Sequence, residues 1–431
     1  MSLYSNIVGV AFTPKGYKEL KRILISLFVV LISVSLISVS LVGCSKSTTT
    51  TSTTTALQQA TVEIAVTTPL TGGAASFGES QSHGVQLAFE DLNNAGGITV
   101  GNTHYTFTVK TLDDGYDPST ATNNIRTFVY QDGSKFLFTF ESASELALAS
   151  TLAQQKVIQF TAVYDDTILN PANSYTFRTV IPPSMKVTSY TKYLTTTFPN
   201  AKTVAHFTED NVSGQVQTQE EDAAAKAAGL TVTDEVLYAS GTTDFMALLT
   251  PVLAKNPDIL SLGGSSVGSD ALIVKQARAM GYKGVINNTS PCSAQDMISI
   301  AGQDALEGFI STDVAMVSPL VSQKFLDLAA REKTKFGISY GNTWDFYSQA
   351  LILVAAMQRA DSVDPTAIKN ILEDTTQVWP YEMFVGGQAT FGTGSAKTLF
   401  GNSDYMNQII NPYTISVIKN GKDTNAVAIN P

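Results

Sequence analysis

Few residues in this sequence are placed to do chemistry, and their types and spacing suit binding better than catalysis. Glu141-Ser142-Ala143-Ser144 stands between an apolar run of buried-strand type, 136–140, and a helical pattern over 144–155. Such a loop presents backbone N–H groups and serine hydroxyls at a helix start, where unpaired donors and partial positive charge can hold a carboxylate. The competing use is local, with Ser142 or Ser144 capping its own helix. Gly263-Gly264-Ser265-Ser266-Val267-Gly268 resembles a phosphate loop only loosely, because the Gly-Lys-Ser/Thr ending is missing. It reads better as a strand-to-helix turn that lends Ser265 to a cleft.

Enzyme chemistry finds little footing. His83, His104 and His206 lack the spacing of metal ligands, so no metal site is expected. Asp113 and Asp114 are adjacent at a strand end and point to opposite faces, which argues against a paired acid and base. Cys292, in a Ser-Pro-Cys-Ser turn, has only Cys44 as a fellow cysteine and reads as an inert thiol. An exported hydrolase would need a nucleophile beside a base, and no such arrangement is visible. The expectation is a non-enzyme without cofactors.

The elements that must hold the loops alternate between two periods. Val62, Ile64 and Val66 alternate with Glu63, Ala65 and Thr67, as a strand requires, and 69–73 breaks the run. Val85, Ala88, Phe89 and Leu92 then mark a helix that ends at Gly96-Gly97. The pattern repeats with a strand over 105–112 and an Asp117 N-cap followed by Pro118 at the first helical position. Ile125, Phe128 and Val129 mark the buried face of that helix, and 157–161 reads as a further strand. A second series follows Pro182-Pro183, with strands near 204–207, 231–237, 259–262 and 285–287 and helices over 214–228 and 268–280. Two βαβ series with short connections imply an α/β chain with two parallel-sheet lobes.

The amino terminus reads as an export signal. Lys15, Lys18, Lys21 and Arg22 precede an uncharged stretch, 23–42, which stops at Leu41-Val42-Gly43-Cys44. Those four residues fit a bacterial lipobox, whose cysteine is lipidated and becomes the new amino terminus. The other reading is an uncleaved membrane anchor, since the apolar stretch is long enough to cross a hydrocarbon core of about 30 Å. Residues 45–55 are nearly all Ser and Thr and form a flexible spacer. Removing residues 1–43 takes four basic residues and one acidic one, leaving 23 basic against 36 acidic. So acidic a body lacks the basic stripe that phosphate backbones require, so nucleic acid is not an expected partner. Its contact with the membrane should be the lipid alone.

An ordered set of motifs carries a family resemblance. Residues 65–72 (AVTTPLTG), Phe77-Gly78, 84–88 (GVQLA) and 92–98 (LNNAGGI) resemble the opening of the Leu/Ile/Val-binding protein family. Asp113-Asp114, Asp117-Pro118, Phe177-Arg178-Thr179, Pro257-Asp258 and Gln276-Ala277-Arg278 through Gly281 follow in the family's order, so the likeness covers most of residues 62–420. It implies a type I periplasmic-binding fold of two α/β lobes joined by three hinge crossovers, expected near Pro182, near Thr312 and at about residues 378–390. Residues 61–182 with 312–380 would form one lobe, and 183–311 with 381–431 the other. It also implies a solute-binding component of an ABC importer whose partners are a small-molecule ligand, permease subunits and, through Cys44, a membrane. A branched-chain amino acid or a small carboxylate or amide is the expected ligand. The same fold would also serve a sensory module that presents its ligand to a receptor.

The resemblance assigns residues to the cleft as well. Glu141, Ser142 and Ser144 fall in one carboxylate-binding loop. Ala162, Tyr164 and Asp165 fall in a second, where Tyr164 replaces a usually small residue and narrows the pocket, stacks on the ligand or covers the loop. Phe77 matches an aromatic laid against the ligand. The position of the acid that meets an amino-acid ammonium falls on Ser290, and serine cannot pair with an ammonium, so an α-amino acid ligand would need Glu141, Asp165 or Asp210 to compensate, although each reads better as a solvated acid. The aromatic expected after the second lobe's first strand is also missing, because that stretch reads Glu209-Asp210-Asn211-Val212-Ser213-Gly214.

Overall fold

Strands buried on both faces need helices on both sides, and the chain satisfies that need twice. The computed structural model describes residues 57–431 apart from 293, 313–320, 375, 381–387, 392–406, 411–412 and 430–431, so the lipobox cysteine Cys44 and the segment before it lie outside the described residues. Among the described residues no helix is long and apolar enough to cross a membrane.

The first sheet is built around β1 (Gln58–Thr68), buried from Ile64 onward. Its six strands run β2 (Ile98–Val100), β3 (Thr103–Asp113), β1, β4 (Phe136–Thr139), β5 (Ile158–Thr161) and β6 (Thr176–Arg178). All neighbours are parallel except β2 with β3. The connecting helices are α1 (Ala75–Asn94), α2 (Pro118–Arg126) and α3 (Ser142–Gln154). Helix α2 starts as its sequence requires, with the Asp117 carboxylate accepting from Thr120 N and proline in the first turn.

The second sheet has seven strands. Their order is β16 (Lys422–Ile429), β15 (Tyr413–Lys419), β11 (Ile310–Ser311), β10 (Val285–Asn287), β9 (Ile259–Ser261), β7 (Thr203–Glu209) and β8 (Thr231–Tyr238). Strands β7 to β11 are parallel, while β15 and β16 close the edge antiparallel. Helices α4 (Pro183–Thr197), α5 (Val212–Ala227), α6 (Met246–Ala254), α7 (Val267–Ala279) and α8 (Ala294–Ala301) accompany it.

Helices α9 (Gln323–Phe336), α10 (Thr343–Ala360) and α11 (Pro365–Leu372) return to the first sheet, where Phe325, Trp344, Phe346 and Ile368 join the core of Val66, Phe138 and Phe160. A small third sheet follows, of β12 (Trp379–Pro380), β13 (Gln388–Phe391) and β14 (Ile409–Ile410). The last passage to the second sheet comes later than the 378–390 expected from the sequence. Gln408 still pairs with Arg178 at the edge of the first sheet and the Asn407 amide donates to Thr176 O, while Tyr413 already opens β15 of the second sheet.

Strand order reverses at one place in each sheet. β1 lies between β3 and β4, and β7 lies between β8 and β9. The loops after those strands therefore diverge and leave a crevice outside the carboxyl ends, the usual binding position in open parallel sheets.

Candidate ligand-binding site

Both crevices open onto one cavity of about 1160 Å³, counted to its open mouth. Loops after β1, β3, β4, β5 and β6 line one wall, with the start of α10. Loops after β7, β9, β10 and β11 line the other, with α4 and Tyr413.

Two glycines press the first loop of each lobe against its strand. A Cβ added at Gly78 would lie 1.8 Å from Pro69 O, and one at Gly214 would lie 1.9 Å from Glu209 O. The absent side chains thus set the positions of Phe77 and Ser213. Gly214→Ala is expected to lower the unfolding free energy by about 1–3 kcal/mol, because the clash is with backbone that cannot swing away. Urea denaturation would measure it, and an unchanged midpoint would rule out the close approach.

The adjacent acids Asp113 and Asp114 act as scaffold. Asp113 accepts from Leu70 N at 2.8 Å and Thr71 Oγ1 at 2.7 Å, which fixes the loop leading to Phe77. Burial alone would raise its pKa, but these bonds and one from Gly115 hold it below the usual carboxylate range. Asp114 turns the other way, accepting from Thr67 Oγ1 and Tyr116 N, and burial pushes it up to about 6.

Of the residues expected at the site, Phe77, Ala162, Tyr164, Ser265 and Ser290 line the cavity. The Ser265 hydroxyl has no hydrogen-bond partner among the described residues. Glu141, Ser142, Ser144 and Asp165 do not belong to the lining, and all but Ser142 have a local task. The Glu141 carboxylate accepts from Ala143 N at 3.0 Å and Ser144 N at 2.7 Å, and Ser144 Oγ donates to Glu141 O. Glu141 therefore takes the donors that were expected to hold a ligand carboxylate, and its charge would repel a second anion there. Asp165 caps the short turn 166–168 by accepting from Thr167 N. Ser142 reaches across the cleft instead, with its hydroxyl 3.0 Å from that of Ser213.

Several lining residues escaped the sequence reading. Phe140, the last residue of its apolar run, centres an aromatic wall. Its ring stacks on Phe77 at 5.9 Å and packs against Tyr116 at 6.2 Å and Phe346 at 6.3 Å. Glu209 accepts from Ser266 N at 3.2 Å, and burial raises its pKa. Lys186, in the first turn of α4, is only 4% exposed. Its Nζ lies 4.7 Å from the centre of the Tyr164 ring and donates to Tyr164 Oη at 3.4 Å. Tyr164 in turn donates to Ser290 Oγ at 3.4 Å, so the replacements at 164 and 290 meet across the cleft. A signal for Lys186 existed, since it shares a helix face with Pro183 and Tyr190, both buried.

The arrangement has the shape and lining to suit a molecule with an apolar body and a few polar ends, enclosed from two sides. A family model described as periplasmic binding protein matches residues 61–406. A Leu/Ile/Val-binding protein homolog of Brucella abortus is 25% identical over 325 residues, covering 72% of this chain and 79% of the relative. The fold is similar to that of a leucine-binding protein from Thermotoga maritima, at 23% identity and a TM-score of 0.71 over 86% of this chain and 99% of the other. It is also similar to that of a branched-chain amino acid transporter substrate-binding protein from Streptococcus pneumoniae in complex with isoleucine, at 19% identity and a TM-score of 0.72 over 86% of this chain and 100% of the other. A match running from the first strand to the threshold of the last crossing, on two sheets that share one cavity, means that this chain belongs to the periplasmic binding protein family.

Proposed function

We propose that this chain is the extracytoplasmic solute-binding component of an ATP-driven importer. It captures a branched-chain amino acid or a related small organic solute between its lobes and performs no chemistry on it. The single observation that carries this reading is the cavity, whose walls come from the strand ends of both sheets. The leucine-binding protein from Thermotoga, the isoleucine complex from Streptococcus and the likeness to a Leu/Ile/Val-binding protein homolog from Brucella support the solute class.

Closure is the working motion in this reading. A ligand that touches both lobes only in the closed form shifts the population toward it, and a permease would meet that loaded form. The lobes are residues 61–182 with 312–380, and 183–311 with the final strands. Cys44 would carry the lipid, and the Ser/Thr-rich 45–55 would be the tether.

Native mass spectrometry after incubation with the small-molecule fraction of a culture medium tests capture. A retained solute is expected, together with a thermal midpoint raised by a few degrees. Ligand at about 100 times its dissociation constant adds about 2.7 kcal/mol. No retained mass and no shift would refute capture.

A further inference from the structure

We infer that the ligand is a carboxylate whose anion pairs with Lys186, and that it lacks an ammonium on the adjacent carbon: an arylalkanoate or branched alkanoate rather than an α-amino acid. The inference rests on the solute-capture reading above and narrows its ligand class.

Lys186 carries the argument. It is 4% exposed, lines the cavity, and among the described residues has no carboxylate within ion-pair distance. Among the described residues its side-chain hydrogen bond is to the Tyr164 hydroxyl, a neutral group. An ammonium withdrawn from water without a counter-ion is costly, and the open space beside it is where a ligand's anion can supply one. The donors after β4, by contrast, are already taken by Glu141.

The surroundings of Lys186 do not suit a second cation. Tyr164 and Ser290 contribute hydroxyls, and Lys186 itself would repel an ammonium. Two carboxylates, Glu209 and Asp345, also line the cavity. Glu209 ends β7, which is separated from β10, the strand before Ser290, by β9. Among the described residues neither Glu209 nor Asp345 lies within ion-pair distance of Lys186. Asp345 precedes Phe346, which packs on Phe140 in the aromatic wall.

The remaining wall suits an apolar body. Phe77, Tyr116, Phe140 and Phe346 form one continuous aromatic surface in the cavity, against which a ring or a branched chain can pack.

Matched compounds test the inference on the full chain purified in a mild detergent. Calorimetric titration would compare leucine with 4-methylpentanoate and phenylalanine with 3-phenylpropanoate, alongside the primary amide of each deaminated acid. Wild type, Lys186→Met and Lys186→Arg would each be titrated. At least one deaminated acid is expected to bind at least tenfold more tightly than its amino acid and its amide. Lys186→Met should weaken that acid on the order of a hundredfold or more, with Lys186→Arg losing far less. The unliganded thermal midpoint of Lys186→Met, expected to be no lower than wild type, separates lost binding from lost folding.

An amino acid that binds as tightly as its deaminated partner would overturn the inference on the wild type alone. So would undiminished acid binding by a folded Lys186→Met, or silence from every acid. If the acids are silent while the medium fraction still stabilises the chain, the ligand class is wrong and capture stands. If neither has an effect, both fail.

Discussion

Replacing Arg178 by methionine is expected to lower the unfolding free energy by about 3–5 kcal/mol and to weaken ligand binding with it. Arg178 is completely buried at the end of β6 and ties three segments together. Its guanidinium donates to Val163 O at 2.8 Å, to Asp166 Oδ1 at 2.5 Å and to Gln408 Oε1 at 2.5 Å. Burial lowers its pKa, and the charge of Asp166 opposes that shift. Methionine fills much of the volume but leaves the Val163 carbonyl and the Gln408 amide oxygen without their donor.

The binding loss follows from the same bonds. Ala162 and Tyr164 reach the cavity from the loop that Val163 O and Asp166 anchor, so loosening that loop moves the Tyr164 hydroxyl away from Lys186 and Ser290. Asp166→Asn should cost less, because its side chain is 30% exposed and the asparagine oxygen can still accept from the guanidinium. Urea denaturation of both variants is the measurement. A loss below about 1 kcal/mol for Arg178→Met would show that the three segments hold together without it.

Glu145→Gln is expected to do the reverse, stabilising the protein at neutral pH and not in acid. Glu145 lies fully buried in the first turn of α3, where Oε2 accepts from Gln159 Nε2 at 2.9 Å and Oε1 has no hydrogen-bond partner among the described residues. Burial pushes its pKa up to about 8, with the charges of Glu141 and Asp114 adding to the rise. At low pH the group is protonated in both folded and unfolded chains and costs nothing. As pH climbs past the unfolded value of 4.5, the unfolded chain releases the proton while the folded chain keeps it until about 8. Stability from this group is therefore present in acid and lost across that window. Glutamine is neutral throughout, so the variant should exceed wild type by roughly 2–4 kcal/mol near pH 7.5 and match it near pH 4.5. An equal gain at both pH values would mean that the effect is packing and not ionisation. Asp114, pushed up to about 6, titrates in the same direction in both proteins and cancels from the difference.

The two variants also mark where sequence reading succeeds and where it stops. Arg178 stood out through the Phe177-Arg178-Thr179 motif, but nothing local shows that its guanidinium reaches Gln408, 230 residues away. That contact keeps Gln408 at the edge of the first sheet, later in the chain than the 378–390 expected for the third crossing. Glu141 illustrates a different failure. Its place before α3 was clear, yet cap and ligand site have the same composition, and only the 2.7 Å bond to Ser144 N shows that the carboxylate serves its own helix.

The strands, the helices and the Asp117-Pro118 helix start were legible because their causes are local: a period of two or near 3.6, a side-chain acceptor and a ring that presets φ. The motif order carried the two-lobed fold, and Phe77, Tyr164, Ser265 and Ser290 could be placed at strand ends that line the cavity. Tertiary structure alone decided what those residues face. It set Lys186 of α4 beside Tyr164 of the opposite wall, consumed the helix donors at Glu141 and placed Glu209 two strands from Ser290. The physical reason is range. Periodicity and capping are settled within one or two turns of chain, whereas the charge balance of a cleft sums groups from loops that only lobe packing brings together.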